Sequence, residues 1–168
     1  MSTEQVDGRP YESPRLGARI ERVDPASPKA RWCVEQYFAE INRRFEQGFD
    51  PALSIPADDD DFRPPLGAFL MAIADGESVA CGAVKTIAPR VGYLKRMWVA
   101  DSARGLGLGR RMLHALEDQA RELDMTTLRL ETNRTLVEAI SMYRRSGYTE
   151  VTPFNDEPYA HHWFEKQL

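Results

Sequence analysis

Residues 93–112 have the sequence YLKRMWVADSARGLGLGRRM. The pattern predicts a strand that ends at Val99, then the glycine-rich segment Arg104–Gly109, then a long helix. The three alternating glycines carry no Cβ atom, so a ligand can approach the backbone closely. A helix start also presents N–H groups without intrahelical partners and a partial positive charge. Together these features predict a cradle for a phosphate or pyrophosphate. Positive charge nearby comes from Arg104, Arg110 and Arg111.

Two common phosphate-binding patterns are absent from this segment. The Walker A pattern GxxxxGK[ST] does not occur in it. The dinucleotide pattern GxGxxG also fails, because its third glycine, counted from Gly105, would fall on Arg110. A glycine-rich turn by itself equally fits a tight strand-to-helix connection that binds nothing. The segment alone therefore leaves both interpretations open.

The flanking sequence predicts a mixed α/β chain in the order β, α, loop, three strands, α, β, α, β, β. The predicted strands are Ala18–Val23, Ala68–Ala74, Ser78–Ile87, Val91–Val99, Thr126–Glu131, Tyr148–Val151 and His162–Lys166. The predicted helices run from Ser27 or Pro28 to Gly48, from about Gly107 to Leu123 and from about Thr135 to Ser146. Residues 50–65, with the acidic run Asp58–Asp61, favour a solvated loop.

The length and charge of the chain bound its class. A chain of 168 residues can bury one core but not two, so we expect a flexible arm over residues 1–15 and one domain over residues 16–168. A net charge of −4 argues against a surface that holds nucleic acid. No apolar stretch approaches the roughly 20 residues that span a membrane, and the polar N-terminus lacks a signal core. We therefore expect a cytoplasmic protein with no membrane or nucleic-acid partner. Cys33 and Cys81 favour buried thiols over a disulfide.

Two motifs resemble those of the GNAT acyltransferases. Arg104-x-x-Gly107-x-Gly109 resembles the family's [Q/R]xxGx[G/A] pyrophosphate loop, and the strand before it ends Lys-Arg-Met-Trp-Val in the family's manner. The segment EAISMYRRSGY, which ends at Tyr148, resembles the second hallmark, a helix followed by a strand. One helix and one strand separate the two motifs, as in the family. The closing segment from Phe154 resembles the ends of one bacterial subgroup. The chain is thus similar to GNAT N-acetyltransferases over residues 18–168.

The resemblance implies a fold and a cosubstrate. The fold would be the GNAT acyl-CoA N-acyltransferase fold, an α/β (α+β) domain with a mixed, mostly antiparallel sheet flanked by helices. Acetyl-CoA would lie in the splay between the strand ending at Val99 and the strand ending near Glu131. Main-chain groups of Met97, Trp98 and Val99 would hold the pantetheine arm and orient the acetyl carbonyl. The pyrophosphate would bind to the loop that Arg104 and Gly105 open, at the amides of Leu106, Gly107, Leu108, Gly109 and Arg110.

The same resemblance implies catalytic roles for particular residues. Tyr143 matches the tyrosine that protonates the departing CoA thiolate in many members; the alternative is a core aromatic residue. Glu131, at the end of its strand, is a candidate base, directly or through a water; the alternative is a solvated or helix-capping carboxylate. Asn133 resembles the asparagine that touches pantetheine, although it precedes Tyr143 by more residues than is usual in the family.

Two adjacent cations stand on an otherwise apolar strand. Alternation along a strand would point Lys95 and Arg96 to opposite faces, and a buried charge there needs a partner. We expect one of them to face the acceptor cleft and to bind an acidic group of the substrate; a salt bridge to a neighbouring strand is the alternative. His161 and His162 are adjacent and His114 has no companion ligands, so the sequence predicts no metal site.

The function that the resemblance implies is N-acetyl transfer from acetyl-CoA to a primary amine, expected to be that of a small molecule. We expect direct attack in a ternary complex, because no cysteine or serine stands in an activated setting. The alternatives are an acyl-CoA-binding sensor without activity, a protein N-acetyltransferase, and transfer of a longer acyl group. A homodimer is also open, since many members of the family are dimers.

Overall fold

The computed structural model describes residues 17–168, so the arm predicted over residues 1–15 lies outside the described residues. Within them, the strands are β1 (Arg19–Arg22), β2 (Gly67–Ala74), β3 (Glu77–Ala88), β4 (Val91–Val99), β5 (Thr127–Thr132), β6 (Thr149–Val151) and β7 (His162–Gln167). The helices are α1 (Pro28–Arg44), α2 (Leu108–Glu122) and α3 (Val137–Arg145). The strands form one sheet in the order β1-β2-β3-β4-β5-β7-β6. The predicted order of elements and the mixed, mostly antiparallel sheet are confirmed.

Helix α2 buries the face that its periodicity predicts, whereas α1 leaves Trp32 on its apolar pattern 45% exposed. In α2 the residues Met112, Leu113 and Leu116 are fully buried against the sheet. Helix α1 begins after Ser27, whose hydroxyl oxygen accepts a hydrogen bond from the N–H of Ala30. It ends at Arg44 rather than at Gly48, because the chain turns extended at Phe45. That early end frees the following residues to fold back over the sheet.

The acidic run is more ordered than a solvated loop. Asp59–Phe62 forms a short 3₁₀ helix, and the Asp61 carboxylate accepts from the N–H of Asp58 at 2.9 Å. Asp59 pairs with Arg31, Asp60 pairs with Arg63, and Asp61 also pairs with Lys85 at 3.2 Å. The segment is still a loop, as predicted, since only short 3₁₀ turns form between Arg44 and Gly67. The prediction missed its local order, which comes from cations that pair with Asp59, Asp60 and Asp61.

The sheet opens between β4 and β5, its one parallel pair. The two strands pair only over Val91–Tyr93 and Thr127–Arg129. Beyond that point β4 continues to Val99, while β5 continues to Thr132 paired with β7 on its other side. A cleft therefore opens between the ends of β4 and β5, as the resemblance implies.

A buried carboxylate ties α2 to the far half of the sheet. Glu117 Oε2 accepts from the Tyr148 hydroxyl at 2.8 Å and from Lys166 Nζ at 2.9 Å. The charge of Glu117 is thus paired and hydrogen-bonded, as a buried charge must be. This cluster lies apart from the cleft.

Several sequence predictions concern features outside the cleft. Cys33 and Cys81 are free, buried thiols. Among the described residues, no helix is long and apolar enough to cross a bilayer. In the same part of the chain, no group of three or more His, Cys, Asp or Glu side chains could hold a metal ion.

Candidate active site

A cavity of about 800 Å³ occupies the cleft between β4 and β5. Its walls come from α1, the segment 49–57, the start of α2, α3 and the loop 157–160. The structure brings nearly all the predicted site residues to this one cavity. These are Lys95, Arg96, Met97, Trp98, Val99, Arg104, Gly105, Gly107, Leu108, Gly109, Arg110, Glu131, Asn133 and Tyr143. Leu106 is the exception, since it does not line the cavity.

The glycine-rich loop has the shape of an anion cradle. Gly105 and Gly107 have φ of +76° and +75°, a conformation that side chains with a Cβ rarely adopt. A Cβ atom at either position would meet no atom within 4 Å, so the space beside the loop is open. Among residues 17–168, no side chain caps the start of α2. The first amides of α2 are therefore available to an oxyanion, which fits the pyrophosphate of CoA.

The arginines of the loop have different partners. Arg104 pairs with the buried Glu40 of α1, and with Asp101 at 3.0 Å. Its Nε also donates to the carbonyl of Val99 at 3.2 Å. Arg104 therefore holds the loop against α1 and the end of β4. Arg110 is also exposed and lines the cavity beside the cradle.

A β-bulge in β4 changes the direction of two side chains. In the pairing of β3 with β4, Cys81 lies opposite Trp98 and Ala83 lies opposite Lys95. Two residues of β4, Arg96 and Met97, therefore lie opposite the single residue Gly82 of β3. Arg96 has φ of +59°. Both Lys95 and Arg96 therefore line the cavity. The prediction that they point to opposite faces was wrong, because the bulge interrupts the alternation.

The two cations meet carbonyls and rings rather than carboxylates. Lys95 Nζ donates to the carbonyl of Ile55 at 3.3 Å and lies 4.9 Å from the Tyr93 ring centroid. Arg96 donates to the carbonyl of Ala57 at 3.4 Å and lies over the Phe62 ring. Within residues 17–168 neither makes an ion pair, so the predicted alternative of a salt bridge to a neighbouring strand is not found. Burial lowers the pKa of both groups.

Glu131 ends a chain of hydrogen-bond donors. Trp163 Nε1 donates to Asn155 Oδ1 at 2.9 Å, and Asn155 Nδ2 lies 3.5 Å from the Tyr93 hydroxyl. The Tyr93 hydroxyl donates to Glu131 Oε1. Glu131 Oε2 is buried and has no hydrogen-bond partner among the described residues. Burial raises the pKa of Glu131, against the opposing effects of Tyr93 and the Lys95 charge. The result is a carboxylate with one unused oxygen and raised proton affinity.

Tyr143 presents a hydroxyl to the same cavity. The residue is 5% exposed, and its ring packs against Tyr148 and Phe164. Its hydroxyl makes no hydrogen bond within the described part of the chain. Burial, and secondarily the charge of Glu131, raises the pKa of Tyr143. The hydroxyl is therefore protonated at neutral pH and free to donate.

Asn133 is engaged by its neighbours. Its Nδ2 donates to the carbonyl of Tyr159 at 2.8 Å, and its Oδ1 accepts from the N–H and hydroxyl of Thr135. The side chain thus joins the turn before α3 to the loop 157–160. Its contact with pantetheine stays a prediction.

Sequence reasoning missed Glu157. It is buried and lines the cavity, and its carboxylate accepts from the Ser54 hydroxyl and from the N–H of Ile55 at 2.9 Å. Asp50 N–H donates to the Tyr159 hydroxyl at 2.9 Å, which adds a second tie. Glu157 stands in an irregular segment without periodicity, so no local pattern marks it. These contacts fasten segment 49–57 over the cavity.

Comparison with known proteins agrees with the fold. A solved Klebsiella pneumoniae structure classed among acyl-CoA N-acyltransferases is 27% identical and superposes with a TM-score of 0.71 over 91% of this chain and 99% of its own. A Bacillus anthracis protein of the same fold, solved in complex with acetyl coenzyme A, has a TM-score of 0.58 and 17% identity over 68% of this chain and 69% of its own.

The sequence comparison gives the family. The model of the acetyltransferase (GNAT) family matches residues 34–148, so the chain belongs to the GNAT acetyltransferase family. An IAA acetyltransferase of Azospirillum brasilense is 41% identical over 94 residues, which are 55% of this chain. The aligned part spans 60% of that relative's length.

Proposed function

We propose that this chain is an N-acetyltransferase that transfers the acetyl group of acetyl-CoA to a primary amine of a small molecule. The observation that carries the proposal is the convergence of three features on one cavity. An anion cradle follows the end of β4, and Lys95, Arg96 and Glu131 lie nearer the point where β4 and β5 separate. The Tyr143 hydroxyl also lines this cavity and has no hydrogen-bond partner among the described residues. Membership of the GNAT family and the acetyl-CoA complex of the Bacillus anthracis neighbour support this choice of cosubstrate.

The chain offers groups for each part of the cosubstrate. The amides at the start of α2 bind the pyrophosphate, with Arg110 beside them. The main chain of Met97–Val99 lies along the cavity after the bulge and holds the pantetheine arm. When bound, acetyl-CoA supplies a thioester whose carbonyl carbon is electrophilic and whose thiolate is a good leaving group.

Glu131 and Tyr143 are the two groups that transfer protons in the proposed reaction. Glu131 Oε2 has no hydrogen-bond partner in residues 17–168, so it can take a proton from the substrate ammonium, directly or through a water. The neutral nitrogen then bonds to the acetyl carbon as the carbon–sulfur bond breaks. Tyr143 gives its proton to the leaving sulfur and recovers one from the nitrogen as the amide forms. Glu131 then releases its proton to solvent. The net change is ammonium plus thioester to amide, thiol and one proton, without an acyl-enzyme.

The competing function is an acyl-CoA-binding sensor. A sensor needs the cradle but has no use for an unpartnered Tyr143 hydroxyl or a buried carboxylate with raised pKa. These two groups favour an enzyme. The direct test is release of free thiol from acetyl-CoA in the presence of amines. The proposal expects amine-dependent release, and tight binding without release on any amine would favour the sensor.

Replacing Gly107 by alanine tests the cradle. Because Gly107 has φ of +75°, a Cβ there strains the loop and displaces the amides of α2. We expect the KM for acetyl-CoA to rise about tenfold, as for the loss of one charge-assisted hydrogen bond. The measurement is a titration of acetyl-CoA at saturating amine.

The matched control is Gly76→Ala. Gly76 has φ of +77° and, like Gly107, no atom within 4 Å of an added Cβ, but it stands in the β2–β3 turn away from the cavity. Gly76→Ala should lower the free energy of unfolding by about as much as Gly107→Ala does. Its KM for acetyl-CoA should stay that of the wild type. Equal KM values in the two variants would contradict a role of the loop in binding the cosubstrate.

A further inference from the structure

The part of the cavity around Lys95, Arg96 and Glu131, called the acceptor half, contains opposite charges that do not touch. Lys95 and Glu131 both lie beside Tyr93, one near its ring and the other at its hydroxyl. The charge of Glu131 acts on Lys95, yet the two side chains form no ion pair. Tyr93 pairs with Arg129 across the two strands, so Lys95 and Glu131 follow at equivalent positions where the strands separate. A gap between two half-buried opposite charges suits a ligand that carries both signs.

The two cations are half-buried and form no ion pair within residues 17–168. Carboxylates act on them only from a distance, Glu131 and Glu157 on Lys95, and Asp59 and Asp61 on Arg96. Each cation makes one long hydrogen bond to a main-chain carbonyl, at 3.3 Å for Lys95 and 3.4 Å for Arg96. A buried charge without a counter-ion is costly, and an arginine beside a lysine suits a carboxylate. The carbonyls of Ile55 and Ala57 hold the two cations towards the cavity. Lys95 and Arg96 therefore offer positive charge to an anionic group of a ligand. Glu131 Oε2 offers a free hydrogen-bond acceptor to a cationic group.

Four aromatic rings form part of the cavity wall, and one of them, Phe38, has its centroid 5.9 Å from the Arg96 guanidinium carbon. Phe49 lies 4.8 Å from Tyr159 and 5.4 Å from Phe38, measured between ring centroids, and Phe45 contacts both Phe49 and Tyr159. These rings line the cavity together. Such a wall suits an apolar, ring-bearing ligand body rather than a polyamine or a sugar.

We infer that the acceptor is an α-amino acid with an aromatic side chain, whose carboxylate binds at Lys95 and Arg96 and whose amine faces Glu131. The inference rests on the proposed acetyl transfer and names its substrate class. The carboxylate fills the positive side of the gap, and the ammonium meets Glu131 Oε2. The side chain packs against the aromatic wall. The product is the N-acetyl amino acid, and the proton balance is the one given above.

The test pairs each amino acid with its decarboxylated counterpart. L-Phenylalanine and L-tryptophan are compared with phenethylamine and tryptamine, in wild type and in Lys95→Met. We expect wild type to have a higher kcat/KM for the amino acids. In Lys95→Met this value should fall about 10- to 100-fold, the loss of a hydrogen bond between charged groups. The decarboxylated amines and the KM for acetyl-CoA should change little.

Lys85→Met is the matched control. Lys85 is a partly buried lysine on β3 that pairs with Asp61 and does not line the cavity. It should leave the preference for the amino acids unchanged. Equal or better turnover of the decarboxylated amines by wild type would overturn the inference and leave the proposed function standing.

A binding measurement separates failure of the inference from failure of the proposed function. Titration of L-phenylalanine into CoA-saturated protein, followed by calorimetry, does not need turnover. Binding to wild type that weakens in Lys95→Met supports the inference even if no amine is acetylated, in which case the transferase proposal fails. Absence of binding overturns the inference.

Discussion

Glu131→Gln should lower kcat by about 10²- to 10⁴-fold and still raise the melting temperature at neutral pH. The glutamine has a similar shape and can accept from Tyr93, but it cannot take a proton from the ammonium. Stability should rise because the substitution removes a buried charge whose Oε2 has no hydrogen-bond partner in residues 17–168. For a domain of this size each kcal/mol gained is worth about 2–4 °C. Steady-state kinetics and thermal unfolding measure the two effects.

The gain in stability of Glu131→Gln should increase with pH. Burial raises the folded-state pKa of Glu131 above 4.5, its ordinary value, so the folded protein favours the neutral acid. The charge therefore costs no stability at low pH, and the cost grows as pH rises through the raised pKa. The gain in melting temperature of Glu131→Gln should be small near the ordinary pKa and larger at neutral pH. In kinetics, the acidic limb of kcat/KM should disappear, leaving the limb due to the substrate ammonium.

Glu150→Gln is the control for this variant. Its carboxylate is exposed and bonds to His162 and Arg144, which lower its pKa. Removing that charge should not raise the melting temperature and should leave kcat unchanged. A Glu131→Gln enzyme with wild-type kcat would contradict the role of this carboxylate as the base.

Tyr143→Phe should lower kcat by about 100-fold without loss of stability. A thiolate leaves readily, so the effect lies at the low end for a general acid. Stability should hold because the hydroxyl has no hydrogen-bond partner within residues 17–168, while the ring contacts with Tyr148 and Phe164 remain. The KM for acetyl-CoA should change little. Steady-state kinetics with thermal unfolding checks both statements.

Tyr148→Phe is the control for Tyr143→Phe, because the Tyr148 hydroxyl is hydrogen-bonded and does not line the cavity. That hydroxyl donates to Glu117 at 2.8 Å, in a cluster away from the cavity. Its loss should cost about 1.5–3 kcal/mol of stability, the worth of a hydrogen bond to a charged group, and leave kcat unchanged. If both tyrosine variants lowered kcat and stability together, Tyr143 would be a core aromatic residue and not the acid.

Local sequence patterns predicted the elements and the cradle. The alternation in β2 to β4 and the apolar face of α2 are repeated over many residues, so packing reinforces them. The loop at Gly105 and Gly107 was predictable because a positive φ needs glycine and both positions have it.

The acceptor half of the cavity could not be predicted in the same way. The bulge at Arg96 depends on how β3 and β4 pair, and Gly82 opposite it has no room for a Cβ beside Leu116 and Met97. Glu157 acts through contacts with residues about a hundred positions earlier in the chain. Such long-range pairings leave no periodic trace in the sequence. Lys95, Arg96 and Glu131 were therefore predictable as site residues, but the directions of the two cations and the role of Glu157 were not.

The most direct measurement of the proposed activity is amine-dependent thiol release from acetyl-CoA by wild type beside Tyr143→Phe and Glu131→Gln. The panel should include amino acids, polyamines, aminoglycosides and peptides, with mass spectrometry of the amine product. We expect release with one class of amine, formation of its N-acetyl product, and loss of turnover in both variants. Tight binding of acetyl-CoA with no release on any amine, or equal turnover in the variants, would contradict N-acetyl transfer at this cavity.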